Sequence, residues 1–384
     1  MGCSGHGTDR TQRPGHRRLL FSGHAGRQRL THDEGAAAAY RFDLPPELVA
    51  QAPAVRRDAS RLMVVRGNAC DDASFGDLPQ FLRAGDLLVL NETRVIAARL
   101  FGRREPGGGR TELLLLHPAG ARRFDPQARR WVALVKPARR VREGSRIAFG
   151  VASAEVMRVL GEGACELEFS LEGSFEAFLD REGRLPLPPY IRNHSAGAQE
   201  RYQTVFARVP GSVAAPTASL HFTPELLARL ASGGVEIARI TLDVGLGTFR
   251  PISAERIAEH TMHAEAYSIS GEAASAIRAA RAQGRRVVAA GTTVVRALEA
   301  SAATNGRVAA EEAATELFIT PGFVFRAVDA MITNFHLPQS SLLVLVSAFA
   351  GRERILHAYS EAVKRRYRFF SFGDAMLLER PERA

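Results

Sequence analysis

The chain has little cysteine, tryptophan or lysine. Its 384 residues include three cysteines, one tryptophan and two lysines, Lys136 and Lys364. Cys3, Cys70 and Cys165 lie far apart and no CxxC pair exists. That excludes a disulfide-stapled scaffold, a zinc ribbon, a thioredoxin-type dithiol and an iron–sulfur cluster on clustered thiols. Long apolar runs are missing too. The longest, 342–350, has nine residues, against the roughly 20 that a membrane helix needs. With neither a disulfide framework nor an export signal, the expectation is a reduced, cytoplasmic protein without a membrane partner.

What remains is a globular composition, 46% apolar and 24% charged, long enough for two domains. The net charge is +10 and it is concentrated. Residues 122–146 carry nine cations (Arg122, Arg123, Arg129, Arg130, Lys136, Arg139, Arg140, Arg142 and Arg146) against Asp125 and Glu143, a net of +7. Such an excess suits a polyanion, because neutralising phosphates binds nucleic acid whatever its sequence. Arg129, Arg130, Lys136, Arg139, Arg140 and Arg142 are the candidate RNA contacts. The alternative is a solvated face on an arginine-rich protein.

Residues 1–36 are Gly-, His- and Arg-rich without apolar periodicity, and read as a disordered or mis-called tail. Order begins near Phe42, and 61–65 and 86–90 read as strands. Between 96 and 172 six short strands follow one another (98–101, 111–116, 130–135, 146–149, 155–160 and 165–169), nearly all separated by Gly or Pro clusters. That spacing predicts a small β-barrel or sandwich. Beyond 186 strands and helices alternate. Thr223, Ser270 and Ser340 stand as helix N-caps, Pro224 at a first helical position and Gly233-Gly234 as a stop. The expected fold is α/β: a main domain with a largely parallel sheet, residues 37–95 and 173–384, interrupted by a barrel at 96–172.

Three loops after expected strands share small and polar residues: 245–249 with Gly247 and Thr248, 291–293 with Thr292 and Thr293, and 334–338 with Asn334 and His336. Ligands of open α/β sheets bind at the carboxyl ends of strands, where helix N-termini offer free N–H groups. The small-residue run 211–222, with Thr217 and ending at His221, suits a backbone packed against a ligand. Residues 259–265 place His260, His263, Glu259 and Glu265 within seven positions. With His260 and His263 three apart, no HExxH and no cysteine partner, the expectation is no metal, and acid–base or capping roles instead.

The runs GSVAAPTASLHFT (211–223), EHTMHAE (259–265), GTTVVRALE (291–299), TNFHLPQSSLLVLVSAFAG (333–351) and YRFFSFGDAML (367–377) resemble the S-adenosylmethionine:tRNA ribosyltransferase-isomerases of queuosine biosynthesis. So do FDLPPELVAQAPAVRRDASRL (42–62), GDLLVLNETRVIAARLFG (85–102), LPLPPYI (185–191) and RYQTVFA (201–207). The resemblance spans about 40–378.

It implies transfer and isomerisation of the ribosyl part of S-adenosylmethionine onto 7-aminomethyl-7-deazaguanine at the tRNA wobble position. The products are epoxyqueuosine, adenine and methionine. It also implies a two-domain α/β protein with an inserted barrel, no metal or other cofactor, and tRNA and S-adenosylmethionine as partners. A monomer is expected, although no motif speaks to oligomeric state. The sulfonium acidifies the neighbouring C5′ hydrogens, so a base is needed, and departing adenine needs a donor. His221, His336 and His263 lead for that work, with Glu265 and Glu299 as alternatives. Thr217, Gly247, Thr248, Thr292, Thr293, Arg296 and Asn334 are the expected substrate contacts. The methionine carboxylate suits the helix start at Thr292-Thr293, with Arg296 one turn on.

Three positions depart from the family pattern: Ser219 for Gly, Asp243 for His, and Asn193 near a usual Arg or Lys. Two other readings stay open, a non-catalytic RNA-binding module and a methyltransferase. The first would release no adenine, and the second would yield S-adenosylhomocysteine.

Overall fold

The computed structural model describes residues 35–380, apart from 122, 193–194 and 246–251. A nine-stranded sheet runs in the order Glu311–Thr315, Glu265–Ile269, Glu236–Leu242, Leu87–Asn91, Val287–Ala290, Ala330–Asn334, Ala375–Glu379, Arg61–Arg66, Ala69–Ser74. Leu87–Asn91, Val287–Ala290 and Ala330–Asn334 are buried at every position. Strands covered on both faces read as continuous apolar runs, which is why sequence alone reveals them. The outermost strands instead carry acids, Asp71 and Asp72 on one edge, Glu311 and Glu312 on the other. Charge there discourages further strand pairing.

The sheet is mixed rather than largely parallel. Glu236–Leu242, Leu87–Asn91, Val287–Ala290 and Ala330–Asn334 form a central parallel block. Arg61–Arg66 also runs parallel to Ala375–Glu379, whereas the other four pairings are antiparallel. The antiparallel strands Ala69–Ser74, Glu265–Ile269, Glu311–Thr315 and Ala375–Glu379 gave no expectation from sequence. ACDDAS and EEAAT are poor in β-branched residues, so pairing to a neighbour rather than local preference makes them strands. The helices begin where the caps predict. Thr223, Ser270 and Ser340 each accept the N–H three residues on, from Leu226, Ala273 and Leu343.

Six antiparallel strands close a barrel in the order Ala164–Ser170, Arg130–Lys136, Arg110–Pro118, Arg99–Glu105, Arg146–Phe149, Ala152–Gly161. Each overlaps one of the six expected strands, and closure decides for a barrel over a sandwich. Alternation fills it: Trp131, Ala133 and Val135 are buried. Trp131 stacks on Phe175, with ring centroids 4.9 Å apart, and Phe175 belongs to a helix, Phe175–Glu182, that packs on the barrel core. Gly102 is obligatory, since a Cβ there would lie 2.6 Å from Ile147 and 2.7 Å from the Ala148 carbonyl.

Arg123, between two barrel strands, reaches the main sheet. It contacts Glu312 at 3.0 Å and Asp243 at 3.8 Å. Gly35 and Ala36, assigned by composition to the tail, are ordered against the sheet domain: Ile257 donates to the Gly35 carbonyl at 3.0 Å, and Ala36 bridges to Arg256. The rest of the expected tail, 1–34, lies outside the described residues. No helix among the described residues is long and apolar enough to cross a membrane.

Candidate active site

The four central parallel strands bring their carboxyl ends to one edge of the sheet. Asn91, Asp243, Gly291 and Asn334 therefore stand on the same side, the side where ligands of such sheets gather. Strand Val287–Ala290 turns at Gly291 (φ 105°, a conformation open to glycine) straight into helix Thr292–Asn305. No side chain caps that helix. The first residues of the helix line a cavity with Thr217, Ala218, Gly291, Thr333 and His336, among others, and its first N–H groups have no intrahelical acceptor. The Thr293 hydroxyl is buried and has no partner among the described residues.

His336 is 6% exposed, and burial pushes its pKa down to about 3. It is therefore a neutral imidazole at physiological pH. Its Nε2 lies 3.0 Å from Thr333 Oγ1, and its backbone N–H donates to the Tyr359 hydroxyl at 2.9 Å.

His221 sits in a different, adjoining cavity with Arg57, Ser60, Arg201, Leu220, Ser371 and Phe372. The turn Thr217–His221 has one end in each cavity. Both His221 nitrogens are occupied: Nδ1 lies 2.7 Å from Ser60 Oγ and Nε2 3.1 Å from Asn334 Oδ1. Asn334 gives its Nδ2 hydrogens to the carbonyls of Phe370 and Ser371, so Oδ1 must accept from His221 Nε2–H. Nδ1 then accepts from the Ser60 hydroxyl. Burial lowers the His221 pKa to about 4, and its ring lies against Phe75, centroids 4.9 Å apart. Asn334 thus holds a turn instead of lining the Thr292–His336 cavity. The turn it holds is strained, with Phe370 at φ 77°.

Glu265 and Arg296 are consumed by one another. They form an ion pair with side chains 3% and 2% exposed. Arg296 also donates to the carbonyls of Leu317 at 3.0 Å and Thr315 at 3.4 Å, and Glu265 accepts from the Gly245 N–H at 3.2 Å. The described partners of Arg296 are thus Glu265 and two backbone carbonyls, and Glu265 also holds the Gly245 N–H. Glu299 is likewise structural. Its carboxylate takes the N–H groups of Arg326, Ala327 and Val328 at 2.8–3.0 Å and so fixes the turn into strand Ala330–Asn334. His263 is exposed and lines neither cavity, and His260 packs on Phe318. Gly247 and Thr248 lie outside the described residues. Among the described residues no group of three or more His, Cys, Asp or Glu could hold a metal ion.

The chain matches the family described as "Queuosine biosynthesis protein" over residues 37–378. It belongs to that family. It is similar to the S-adenosylmethionine:tRNA ribosyltransferase-isomerase of Symbiobacterium thermophilum, 54% identical over 88% of this chain and 98% of that one. The protein of the same name from Moorella thermoacetica is 53% identical with the same coverage. A crystal structure of S-adenosylmethionine tRNA ribosyltransferase from Thermotoga maritima is 38% identical, covering 88% of this chain and 99% of that one, with a TM-score of 0.49.

Two departures from the family pattern have visible consequences. The Ser219 hydroxyl is fully buried without a partner among the described residues. Asp243 accepts from the Thr93 hydroxyl at 3.1 Å and faces Arg123. Asn193 lies outside the described residues, as does Arg122. Of the basic window, Arg130 pairs with Glu168 and Arg129 donates to the Gly173 carbonyl. Lys136, Arg139, Arg140 and Arg142 are exposed, and none forms a described ion pair. Folding adds cations that sequence reading missed. Arg103 stands opposite Arg110 across two strands, and Arg104 donates to the Arg140 carbonyl at 2.6 Å. They lie before the window 122–146 in sequence, and the barrel brings them beside it.

Proposed function

We propose that this enzyme, an S-adenosylmethionine:tRNA ribosyltransferase-isomerase of queuosine tRNA modification, works in the cavity formed by Thr217, Thr292, Thr293 and His336. The supporting observation is that the uncapped helix N-terminus at Gly291-Thr292, the Thr293 side chain, whose hydroxyl has no partner among the described residues, and the buried His336 line one cavity. The helix N–H groups and Thr293 receive the methionine carboxylate of S-adenosylmethionine, whose charge the helix end stabilises. His336 takes a proton from the carbon beside the sulfonium, the step that requires a base and not an acid. The sulfonium is itself the activated leaving group, so the reaction asks for no metal or further cofactor. His221 serves as a positioning residue: its bond to Asn334 keeps loop 334–338, and therefore His336, at the cavity. The exposed cations Lys136, Arg139, Arg140 and Arg142, joined by Arg103, Arg104 and Arg110, hold the tRNA backbone. The protein acts as a cytoplasmic monomer.

The test is product analysis with S-adenosylmethionine and tRNA carrying 7-aminomethyl-7-deazaguanine. The parent releases adenine and methionine. His336→Ala slows turnover by about 100-fold or more, the scale for losing an acid–base group, with tRNA affinity near normal. S-adenosylhomocysteine as the product would mean methyl transfer instead. Full turnover by His336→Ala would remove this cavity from the chemistry.

A further inference from the structure

The cavity beside His221 holds two arginines that the chemistry above leaves unused. Arg57 donates Nη1 to the carbonyls of Leu220 at 3.0 Å and Arg201 at 3.3 Å. Arg201 donates Nη1 and Nη2 to the carbonyls of Val55 at 3.0 Å and Ala54 at 2.9 Å, while its Nε is buried without a partner. Every described acceptor of these two guanidiniums is a neutral carbonyl. The nearby carboxylates are engaged elsewhere: Asp58 pairs with Arg56 at 3.1 Å. Asp374 pairs with Arg368 at 2.9 Å and takes the N–H groups of Arg61 and Arg368. Glu200 attracts Arg57 without forming a described ion pair with it. Burial and then the charge of Arg201 lower the Arg57 pKa, as expected where two cations share a wall.

Carbonyl bonds orient each guanidinium but do not neutralise it. Two oriented cations without a described ion pair, in one concavity, form a ready site for an anionic oxygen group, since a guanidinium fork matches phosphate or carboxylate. S-adenosylmethionine has a single carboxylate, already accommodated at the helix N-terminus. RNA offers a phosphate at every nucleotide. The adjoining cavities, separated by the turn Thr217–His221 and joined by the His221–Asn334 bond, suit a nucleotide, whose base and phosphate are one sugar apart.

We propose that Arg57 and Arg201 bind a backbone phosphate of the RNA next to the nucleotide being modified, while its base occupies the Thr292–His336 cavity. This rests on the assignment of that cavity to the chemistry.

The experiment uses the full chain and an anticodon stem-loop carrying 7-aminomethyl-7-deazaguanine, with single neutral methylphosphonates placed in turn at each loop phosphate. Arg57→Gln and Arg201→Gln are each expected to weaken binding of the unsubstituted RNA about tenfold. Each should flatten the log–log salt slope by roughly 0.7 per lost contact, with the KM for S-adenosylmethionine within about twofold of the parent. One methylphosphonate position should weaken parent binding but cost the Gln variants nothing further.

Arg57→Lys keeps the charge and should recover part of the affinity, which separates phosphate binding from loss of the carbonyl bonds. If the Gln variants do not fold, Arg57→Lys and the methylphosphonate series on the parent decide. An unchanged salt slope, or no methylphosphonate position whose penalty depends on Arg57, overturns the proposal. So does a tenfold rise in the KM for S-adenosylmethionine with RNA affinity intact, because the site would then hold the methionine carboxylate. RNA affinity, its salt slope and the methylphosphonate penalties are binding measurements, so they stand apart from failure of His336→Ala to lose turnover.

Discussion

Replacing Asp243 by Asn should stabilise the protein, and only above mildly acidic pH. Burial pushes the Asp243 carboxyl up to about 6, outweighing the pull of Arg123 at 3.8 Å and of the Thr93 hydroxyl at 3.1 Å, while the charge of Glu265 adds to the rise. In the unfolded chain the group titrates near 3.8. The folded state therefore prefers the protonated form. The stability this group confers is complete below the unfolded value and lost as pH rises through about 6. A rise from 3.8 to about 6 corresponds to about 3 kcal/mol.

Asn fills the same volume, and its Oδ1 can still accept from Thr93. Shape matters here, because the site is tight: a Cβ on Gly211 would lie 2.8 Å from Asp243 Oδ1. Urea unfolding of parent and Asp243→Asn across pH 4–8 is the assay. The variant's advantage should grow from a few tenths of a kcal/mol at pH 4 to a plateau of about 3 kcal/mol above pH 7. A pH-independent difference, or one largest in acid, would refute the reasoning and mean that Asp243 is held ionised by Arg123.

Two further outcomes are expected. Changing Arg139, Arg140 and Arg142 together to Ala should weaken tRNA binding and lower the log–log salt slope by roughly 0.7–0.9 per lost phosphate contact, with S-adenosylmethionine affinity unmoved. Salt-titrated binding checks this, and an unchanged slope would mean that the arginines merely solvate a face. Ser219→Ala should raise stability by about 1 kcal/mol, since it removes a buried hydroxyl that has no partner. Thermal melting decides, and a drop of several degrees would show that the hydroxyl is satisfied.

Local chemistry made much of the fold legible. Thr223, Ser270 and Ser340 cap helices because a hydroxyl acceptor for the N–H groups of the first turn is a short-range requirement. The barrel strands were countable because Gly and Pro interrupt an alternating pattern that tertiary context does not rewrite. The long motifs carried the family, because a match over hundreds of positions does not depend on knowing any contact. The loops at the carboxyl ends of the central strands were also readable, and Thr217, Thr292, Thr293 and His336 do share a cavity.

Tertiary structure alone decided which polar residues are free to act. Glu265 and Arg296 are 31 positions apart, and only the pairing of Glu265–Ile269 beside Glu236–Leu242 buries them together. His221 and His336 look equivalent in sequence, yet Ser60 and Asn334 occupy both nitrogens of His221. Arg57 and Arg201 meet across 144 residues. Pairings of that range depend on strand order and on which carboxylate reaches which cation first. Composition and spacing state neither, because a charge carries no record of its partner until the chain has folded.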